Sequence, residues 1–524
     1  MIEKNMETIT FKDELLSHSK VDNSVRHKKL PELDELEIYP KSVQEIDNII
    51  FFIARTESSK YLYIYFESYF DKTAAKFEGS VITFNGTHKY YLKKCQLSSH
   101  NRKMIQSLFE FTKPVTLGLV DSFGFGDRLG LANPAHVRSL MNSKFKPVFA
   151  QQSIRELKRT GRTPADVMDA AVWAVFQEGF ESGFGADADH LKTIQDIDMM
   201  VKNGFRMFTF DPGAYVHNEA DTLLDEQLDE HIQNQNWKEL RTNYDQLLSE
   251  YVGKEIKIND DFSINANENN LKRAIIKYSD AIVHIKKMYD HLKVRYATYD
   301  SEVEVSVDET ESVTLPFEHY FFASELMRLR VNLISLAPRF IGDFEKGIDY
   351  KGDLNLFKEE YIKHSSIAKY FGTYKLSLHS GSDKFSVYNV IGSLKLGVTH
   401  VKTAGTSYLE ALKVVSVKDP MLFREILDYS RNIYATEKQS YHVSAGLDKV
   451  KPADSYSDED LIGLFHLNDC RQILHVTFGR ILTDKNENGE LLFKDRIFKC
   501  LTENEELHYK FLIDHFRKHL EPFN

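Results

Sequence analysis

The sequence predicts an α/β fold: a TIM (β/α)8-type barrel with an N-terminal α/β extension and a helical insertion. From about residue 115, short apolar runs end in polar residues, and helical spacing follows each one. Eight such runs occur: "VTLGLVDS", "KPVFAQQS", "ADADHLKT", "GFRMFTFD", "VEVSVDET", "VNLISLAP", "YKLSLHSG" and "VTHVKTAG". Strands alternating with helices imply βα units on a parallel sheet. Eight units closing on themselves make a barrel whose active site lies where the strands end.

The elements divide the chain into residues 1–112, a mixed α/β piece; 113–410, the barrel with its insertion at about 217–298; and 411–524, a mostly helical region packed on the barrel. In the first piece, "SVQEIDNIIFFIAR" has helical spacing, with Val43, Ile46, Ile49 and Ile50 on one side. "YLYIYFESYF" and "VITFNGTHKYYL" are aromatic and β-branched and read as strands, with a hairpin signal at Asn85-Gly86. After the second barrel run, "TPADVMDAAVWAVFQEG" reads as a helix with Thr163 as N-cap and Pro164 in the first turn. The insertion is amphipathic and charged, and reads as a helical lid or packing arm.

Composition narrows the function. Of 524 residues, 42% are hydrophobic and 12% aromatic, as in globular proteins. Sixty-seven basic against 78 acidic residues leave a net charge of -11, which argues against a nucleic-acid or anionic-membrane partner. Cys95, Cys470 and Cys500 are far apart and form no CxxC pair, as expected in a reducing cytoplasm. No run approaches the roughly 20 apolar residues that span a bilayer, and the first residues lack a signal-peptide core. A cytoplasmic protein is the expectation, its oligomeric state open. "GFGDRLG" at 124–130 suggests a dinucleotide fingerprint but puts Leu129 where the third glycine belongs.

Polar residues collect where the strands end. "GADADHLKT" places Asp187, Asp189 and His190 in a run that otherwise reads as buried. A charge taken out of water costs several kcal/mol unless paired or bound to metal (about that range in real interiors). Residues two apart share a strand face. His190 and Lys192 therefore point together, with Asp187 and Asp189 turned the other way or lying on the curl at the rim, while Lys375, Ser377 and His379 share a face, as do His400 and Lys402. A lone strand histidine is more often a hydrogen-bonded core residue. Histidines at one end of three strands, with carboxylates nearby, suit a catalytic divalent ion. His319 reads as a helix start and a weaker ligand. Asp127, Asp211, Asp308, Glu309 and Glu318 follow strand ends, where a carboxylate can be a base, a ligand or a helix cap. Asp189, beside His190, is the first base candidate. The small-residue loops "HSGSDKFS" and "KTAGTSYLEA" suit anion binding, with Ser380, Lys384 and Lys402 as donors.

These motifs carry a resemblance. "DSFGFGDRLGLANPAH", "GADADHLKT", "FTFDPG", "SLAPRFIGDFEKGIDYKGD", "LHSGSDKFS" and "HVKTAGTSYLEAL" together look like the tagaturonate epimerase family of bacterial hexuronate catabolism, whose relatives include enzymes with tagatose 4-epimerase activity. The likeness runs from about 115 to the C-terminus. It implies a barrel enzyme that uses a divalent metal (Mn, Zn, Ni or Co) to interconvert tagaturonate and fructuronate, with tagatose and fructose as further substrates. Carried over residue by residue, it implies Asp189 as base, His190, His379 and His400 as metal ligands, and Glu309, with Glu318 behind it, as the second acid. Asp127, Arg128, Gln151, Lys192, Asp211, Arg339, Ser380, Asp383, Lys384 and Lys402 are then the expected substrate contacts. The two keto-acids differ at the carbon β to the carbonyl, whose C–H the ketone does not acidify. Retro-aldol cleavage, rotation of the aldehyde and re-addition would invert it, with a Lewis acid stabilising the enediolate. An aldolase that releases its fragments, or a non-catalytic sugar-binding barrel, would share much of this pattern.

Overall fold

The structure, a computed structural model, describes residues 11–18, 28–30, 33–56, 59–85, 89–141 and 143–524. Eight parallel strands close into a barrel in chain order: β1 Ser122–Phe125, β2 Lys146–Ser153, β3 Gly185–Leu191, β4 Met207–Phe210, β5 Glu302–Ser306, β6 Ser335–Ala337, β7 Lys375–Leu378 and β8 Thr399–Thr403. β8 pairs with β1 through His400–Ser122 and Lys402–Gly124, which completes the closure.

Alternation explains the two faces. Phe123 and Phe125, Ala186 and Ala188, Phe208 and Phe210, Val303 and Val305, and Leu376 and Leu378 belong to one apolar core shared with the surrounding helices. Their neighbours Ser122, Asp187, Thr209, Glu304, Lys375, Ser377, His400 and Lys402 are also buried, and all but Ser377 make polar side-chain contacts within the barrel interior. Barrel interiors are usually filled by branched apolar side chains. A polar filling must be balanced internally, and here opposite charges alternate.

The first apolar run is not a strand. Residues 115–121 cross the barrel's N-terminal end, where the backbone N–H groups of Leu117 and Gly118 donate to the Glu302 carboxylate at 3.1 and 2.9 Å. β1 begins only at Ser122. After β2, the helix Pro164–Gln177 starts at Thr163 with a reciprocal cap to Asp166. The 23-residue helix Glu268–Asp290 occupies most of the second half of the insertion, and the short helices of the first half lean on it.

The N-terminal region forms a seven-stranded antiparallel sheet, Lys28–Leu30 to Lys89–Cys95. The helix expected over 42–55 is instead a hairpin, Gln44–Ile46 with Ile49–Thr56. Asp47 and Asn48 form its two-residue turn at φ 48° and 65°, a conformation these short polar residues tolerate. The β-branched and aromatic run "IIFFIA" outweighs the incidental helical spacing. Gly86 of the expected Asn-Gly turn lies outside the described residues.

Beyond β8 the chain is helical. Thr406–Lys418 and the helices from Pro420 to Glu503 share a second apolar core. The last helix, Glu505–Leu520, returns to the barrel, where Phe516 meets Phe123 and Phe125 at ring distances of 6.1 and 5.0 Å. Among the described residues, no helix is long and apolar enough to cross a membrane.

Candidate active site

Alternation along β3 should turn Asp189 and His190 to opposite sides. It does not, because the pairing with β4 slips between Ala188 and Leu191 and His190 adopts φ 53°. A β-bulge of this kind re-aims a side chain, and left-handed backbone at a non-glycine residue is a strain met at functional sites. The imidazole therefore joins the acids: its Nδ1 donates to Asp189 Oδ1 at 2.8 Å. Lys192, expected to share its face, lies outside on the rim and pairs with Asp211 at 3.2 Å.

His379, just past β7, approaches from the opposite wall. Its Nε2 donates to Glu304 Oε1 at 2.7 Å, and its Nδ1 lies 3.1 Å from Asp308 Oδ1. His190 Nε2 lies 3.6 Å from the same Asp308 oxygen, is buried, and makes no hydrogen bond. Ligand atoms of His190, Asp308 and His379 all fall within 4.8 Å of one another. Each histidine thus turns one nitrogen toward Asp308 and the other to a buried carboxylate. That is the arrangement in which an outer carboxylate fixes the tautomer of a metal-binding imidazole. Two imidazoles and one carboxylate are a suitable donor set for a first-row divalent ion, and the unengaged Nε2 of His190 fits that use. A second grouping of His190, Asp211 and Glu309 is more exposed, and Lys192 already engages Asp211 there.

Beneath these groups Lys402 anchors the charge balance. Its Nζ lies 2.7 Å from Asp187, 2.8 Å from Asp189 and 2.8 Å from Glu304, and donates to Thr209 Oγ1 at 2.6 Å. Burial pushes the acids upward, but His190 and Lys402 outweigh it at Asp189 and hold that carboxyl well below the usual range. Lys402 and His379 do the same at Glu304. Asp187 differs: burial dominates and lifts it to about 6. Burial opposes protonation of His379, yet Asp308 and Glu304 raise it to about 9. Both Asp189 contacts fall on Oδ1, leaving Oδ2 unengaged among the described residues.

Above the cluster opens a cavity of ≈ 240 Å³ lined by Arg155, Asp308, Glu309, Arg339, Lys346, His379, Ser380 and Tyr441, among others. It adjoins a recess of ≈ 60 Å³ that reaches Gln151, Asp189, His190 and Lys402. Ser380 holds the rim at φ 51° and accepts from Lys346 Nζ at 2.6 Å. Glu309 pairs with Arg155 at 3.0 Å. Tyr441 and His475 enter from the C-terminal region.

The structure brings Asp189, Glu309, His190, His379, Gln151, Arg339, Ser380 and Lys402 to this mouth or its recess, with Arg128 beside them. Other expectations are corrected. His400 lies lower in the barrel, bonded through Nδ1 to Ser122 Oγ at 2.9 Å, and burial lowers it to about 3; Asp308, not His400, converges with His190 and His379. Lys384 is fully buried, its Nζ donating to the carbonyls of Glu345, Ile348 and Ser382, so it ties loops together. Lys402 is enclosed by carboxylates. Arg128 pairs with Glu156 at 2.9 Å and stacks on Phe478. Asp127 accepts from the N–H groups of Leu129, Gly130 and Ala132, as a turn-forming acid. Asp211 does the same for Gly213. Asp383 pairs with Arg471 and His515 beneath the last helix. Glu318 caps its own helix and binds Lys277, away from the mouth. His319 is a core residue between His364 and Tyr374.

Sequence reasoning missed Glu304, Arg155, Lys346, Tyr441 and His475, and left Asp308 open between base, ligand and helix cap. Glu304 and Asp308 carry a readable signal: with Ser306 they share the inward face of "VEVSVDE" at spacing two. Lys346 sits in a loop without periodicity, and Arg155 in the first turn of the short helix Ile154–Thr160, where no pattern marks it. Tyr441 and His475 arrive from a region remote in sequence.

Comparison with known proteins places these residues in context. The profile of the tagaturonate epimerase family (UxaE) matches residues 39–523. A tagaturonate/fructuronate epimerase of Thermotoga maritima is 44% identical over 493 residues, covering 93% of this chain and 96% of the relative. Crystal structures of the fructuronate-tagaturonate epimerase UxaE from Cohnella laeviribosi, native and with one glycerol, each superpose with a TM-score of 0.87 at 37% identity, covering 93% of this chain and 96% of theirs.

Proposed function

Because the chain belongs to the tagaturonate epimerase family, and so is a carbohydrate epimerase, we propose that it interconverts D-tagaturonate and D-fructuronate by a metal-dependent retro-aldol and aldol sequence. The observation that supports this most is the pair of inward histidines, each backed by a buried carboxylate and each facing Asp308. In this reading His190, His379 and Asp308 hold a divalent cation, while Asp189 and Glu304 fix the two imidazoles. When bound, the cation supplies positive charge against the enediolate produced by bond cleavage.

The remaining work falls to side chains of this chain. Asp189, kept ionised by His190 and Lys402, accepts the proton of the C4 hydroxyl through its unengaged oxygen. The C4–O electron pair forms the aldehyde carbonyl as the C3–C4 bond breaks. The bonding pair moves onto C3 and the C2 carbonyl, giving an enediolate. The aldehyde turns its other face, C3 re-adds to C4, and an acid returns a proton to the new alkoxide. Glu309, on the rim beside Arg155, is positioned to exchange that proton. The walls must keep both fragments enclosed, which a cavity of ≈ 240 Å³ above the cluster allows.

The test is chelation followed by separate restoration of Mn²⁺, Zn²⁺, Ni²⁺ or Co²⁺, with tagaturonate followed by NMR. Metal-restored fructuronate without free fragments is expected. Accumulating three-carbon fragments would replace the epimerase by an aldolase, and full activity after chelation would remove the metal from the scheme.

A further inference from the structure

The charges around the cavity are unevenly satisfied. Arg155 is paired with Glu309, Arg128 with Glu156, and Lys192 with Asp211. Lys402 is surrounded by three carboxylates, and Lys384 is saturated by three backbone carbonyls. Two cations differ. Lys346 Nζ touches only the Ser380 hydroxyl, at 2.6 Å, and the Arg339 guanidinium makes no side-chain hydrogen bond or ion pair among the described residues. Both line the outer cavity, half-buried, and Lys346 also lines the inner recess. Arg339 follows β6 and Lys346 lies farther along the same loop, so one βα loop supplies both.

We propose that Lys346 and Arg339 form a carboxylate subsite in the outer cavity that selects sugar acids over neutral ketoses. The inference rests on the epimerase reading and deepens it by orienting the substrate. The carboxylate end lies outward against Lys346 and Arg339, and the ketone end lies inward at His190, His379 and Asp308. Half-buried cations without an ion pair carry a desolvation cost that an anionic ligand reduces, and a guanidinium matches a carboxylate in two-point geometry. Asp308 and Glu309 line both spaces, whereas Asp189 lines only the inner recess and Arg339 only the outer cavity. The cations that lack an ion pair thus face the outer cavity, while the other cations of the recess are already engaged, which favours the carboxylate end outward.

Lys346→Met and Arg339→Met, assayed on tagaturonate and on tagatose, test the assignment. Each variant is expected to lose roughly 10- to 100-fold in kcat/KM on the uronate, mostly through KM, the range for a hydrogen bond to a charged group. Activity on the neutral ketose should hold or rise, and Lys346→Arg should restore part of the preference. Arg339→Met guards against a folding artefact, since its side chain makes no hydrogen bond or ion pair among the described residues. Equal losses on both sugars would make Lys346 a prop for the Ser380 turn and overturn the subsite, as would unchanged selectivity. Calorimetric binding of tagaturonate separates the two readings: if wild type turns over neither sugar yet binds the uronate, and both variants lose that binding, the reaction fails while the subsite stands.

Discussion

Two clusters of histidine and carboxylate lie within the same barrel frame. At the mouth, His190, His379 and Asp308 converge below a cavity. Beneath the last helix, Asp383, His515 and His519 converge just as closely. The second cluster is closed. Arg471 lies 2.8 Å from one Asp383 oxygen, and His515 Nε2 lies 3.0 Å from the other. His519 Nε2 accepts from the Asp383 N–H at 3.1 Å, and its Nδ1 donates to the His515 carbonyl at 3.1 Å. Ligand types are the same in the two places, and in both the ligand atoms lie within 4.8 Å of one another. What separates them is a neutralising arginine in one, and an unengaged imidazole nitrogen with an adjoining cavity in the other.

The sharpest break of this comparison is the paired substitution Asp308→Asn and Asp383→Asn. The first should remove stoichiometric metal and lower kcat by about 10²–10⁴ or more, the range for losing a group that acts in the transition state. The second leaves the Arg471 charge buried without its partner and should cost about 3–5 kcal/mol of stability, with metal content per folded molecule unchanged. Elemental analysis beside thermal unfolding reads both. Metal lost from the Asp383 variant at native stability would mean that the closed cluster is the ion site.

Glu304→Gln probes the outer carboxylate of the mouth cluster. The side chain touches His379 and Lys402 but does not face Asp308, so it acts through the imidazole. A loss of about 10- to 100-fold in metal affinity is expected, as for other outer carboxylates of metal-binding histidines. Titration with Mn²⁺ measures it. An unchanged dissociation constant would leave Glu304 with the balancing of Lys402 alone.

Much of this frame was legible before the structure. The barrel could be read because seven of the eight apolar runs fall on its strands, and because capped helices such as Pro164–Gln177 announce themselves. The run at 115–121 misled because its apolar residues close the barrel end instead of building its wall. Asp189, His190 and His379 were legible as charges inside apolar runs. The orientation of His190 was not, since strict alternation cannot foresee a bulge at φ 53°. Lys384 and Arg128 resembled substrate cations because sequence shows a charge but not the carbonyls or carboxylate that occupy it. Lys346 and Tyr441 depend on loop closure and on packing of the C-terminal region, which no local pattern encodes.

The smallest effect separates the clusters by protonation. Burial holds His136, His400 and His519 at about 3 and His364 and His508 at about 4. Their unfolded value is near 6.5. Between these limits the unfolded chain binds protons that the folded chain refuses, so stability falls as pH drops from about 6.5 toward 4 and recovers as pH rises. Each such histidine contributes about 1.4 kcal/mol per pH unit to that slope. The His519 geometry demands the neutral form, because a protonated Nε2 could not accept the Asp383 N–H. His519→Gln should therefore flatten the acid limb by about one histidine's share, measured by denaturant unfolding at pH 6.5, 5.5 and 4.5. An unaltered slope would mean that His519 already carries a proton in the folded protein. The closed cluster would then be held by charge, like the mouth, and the distinction between an accepting and a donating imidazole would fail.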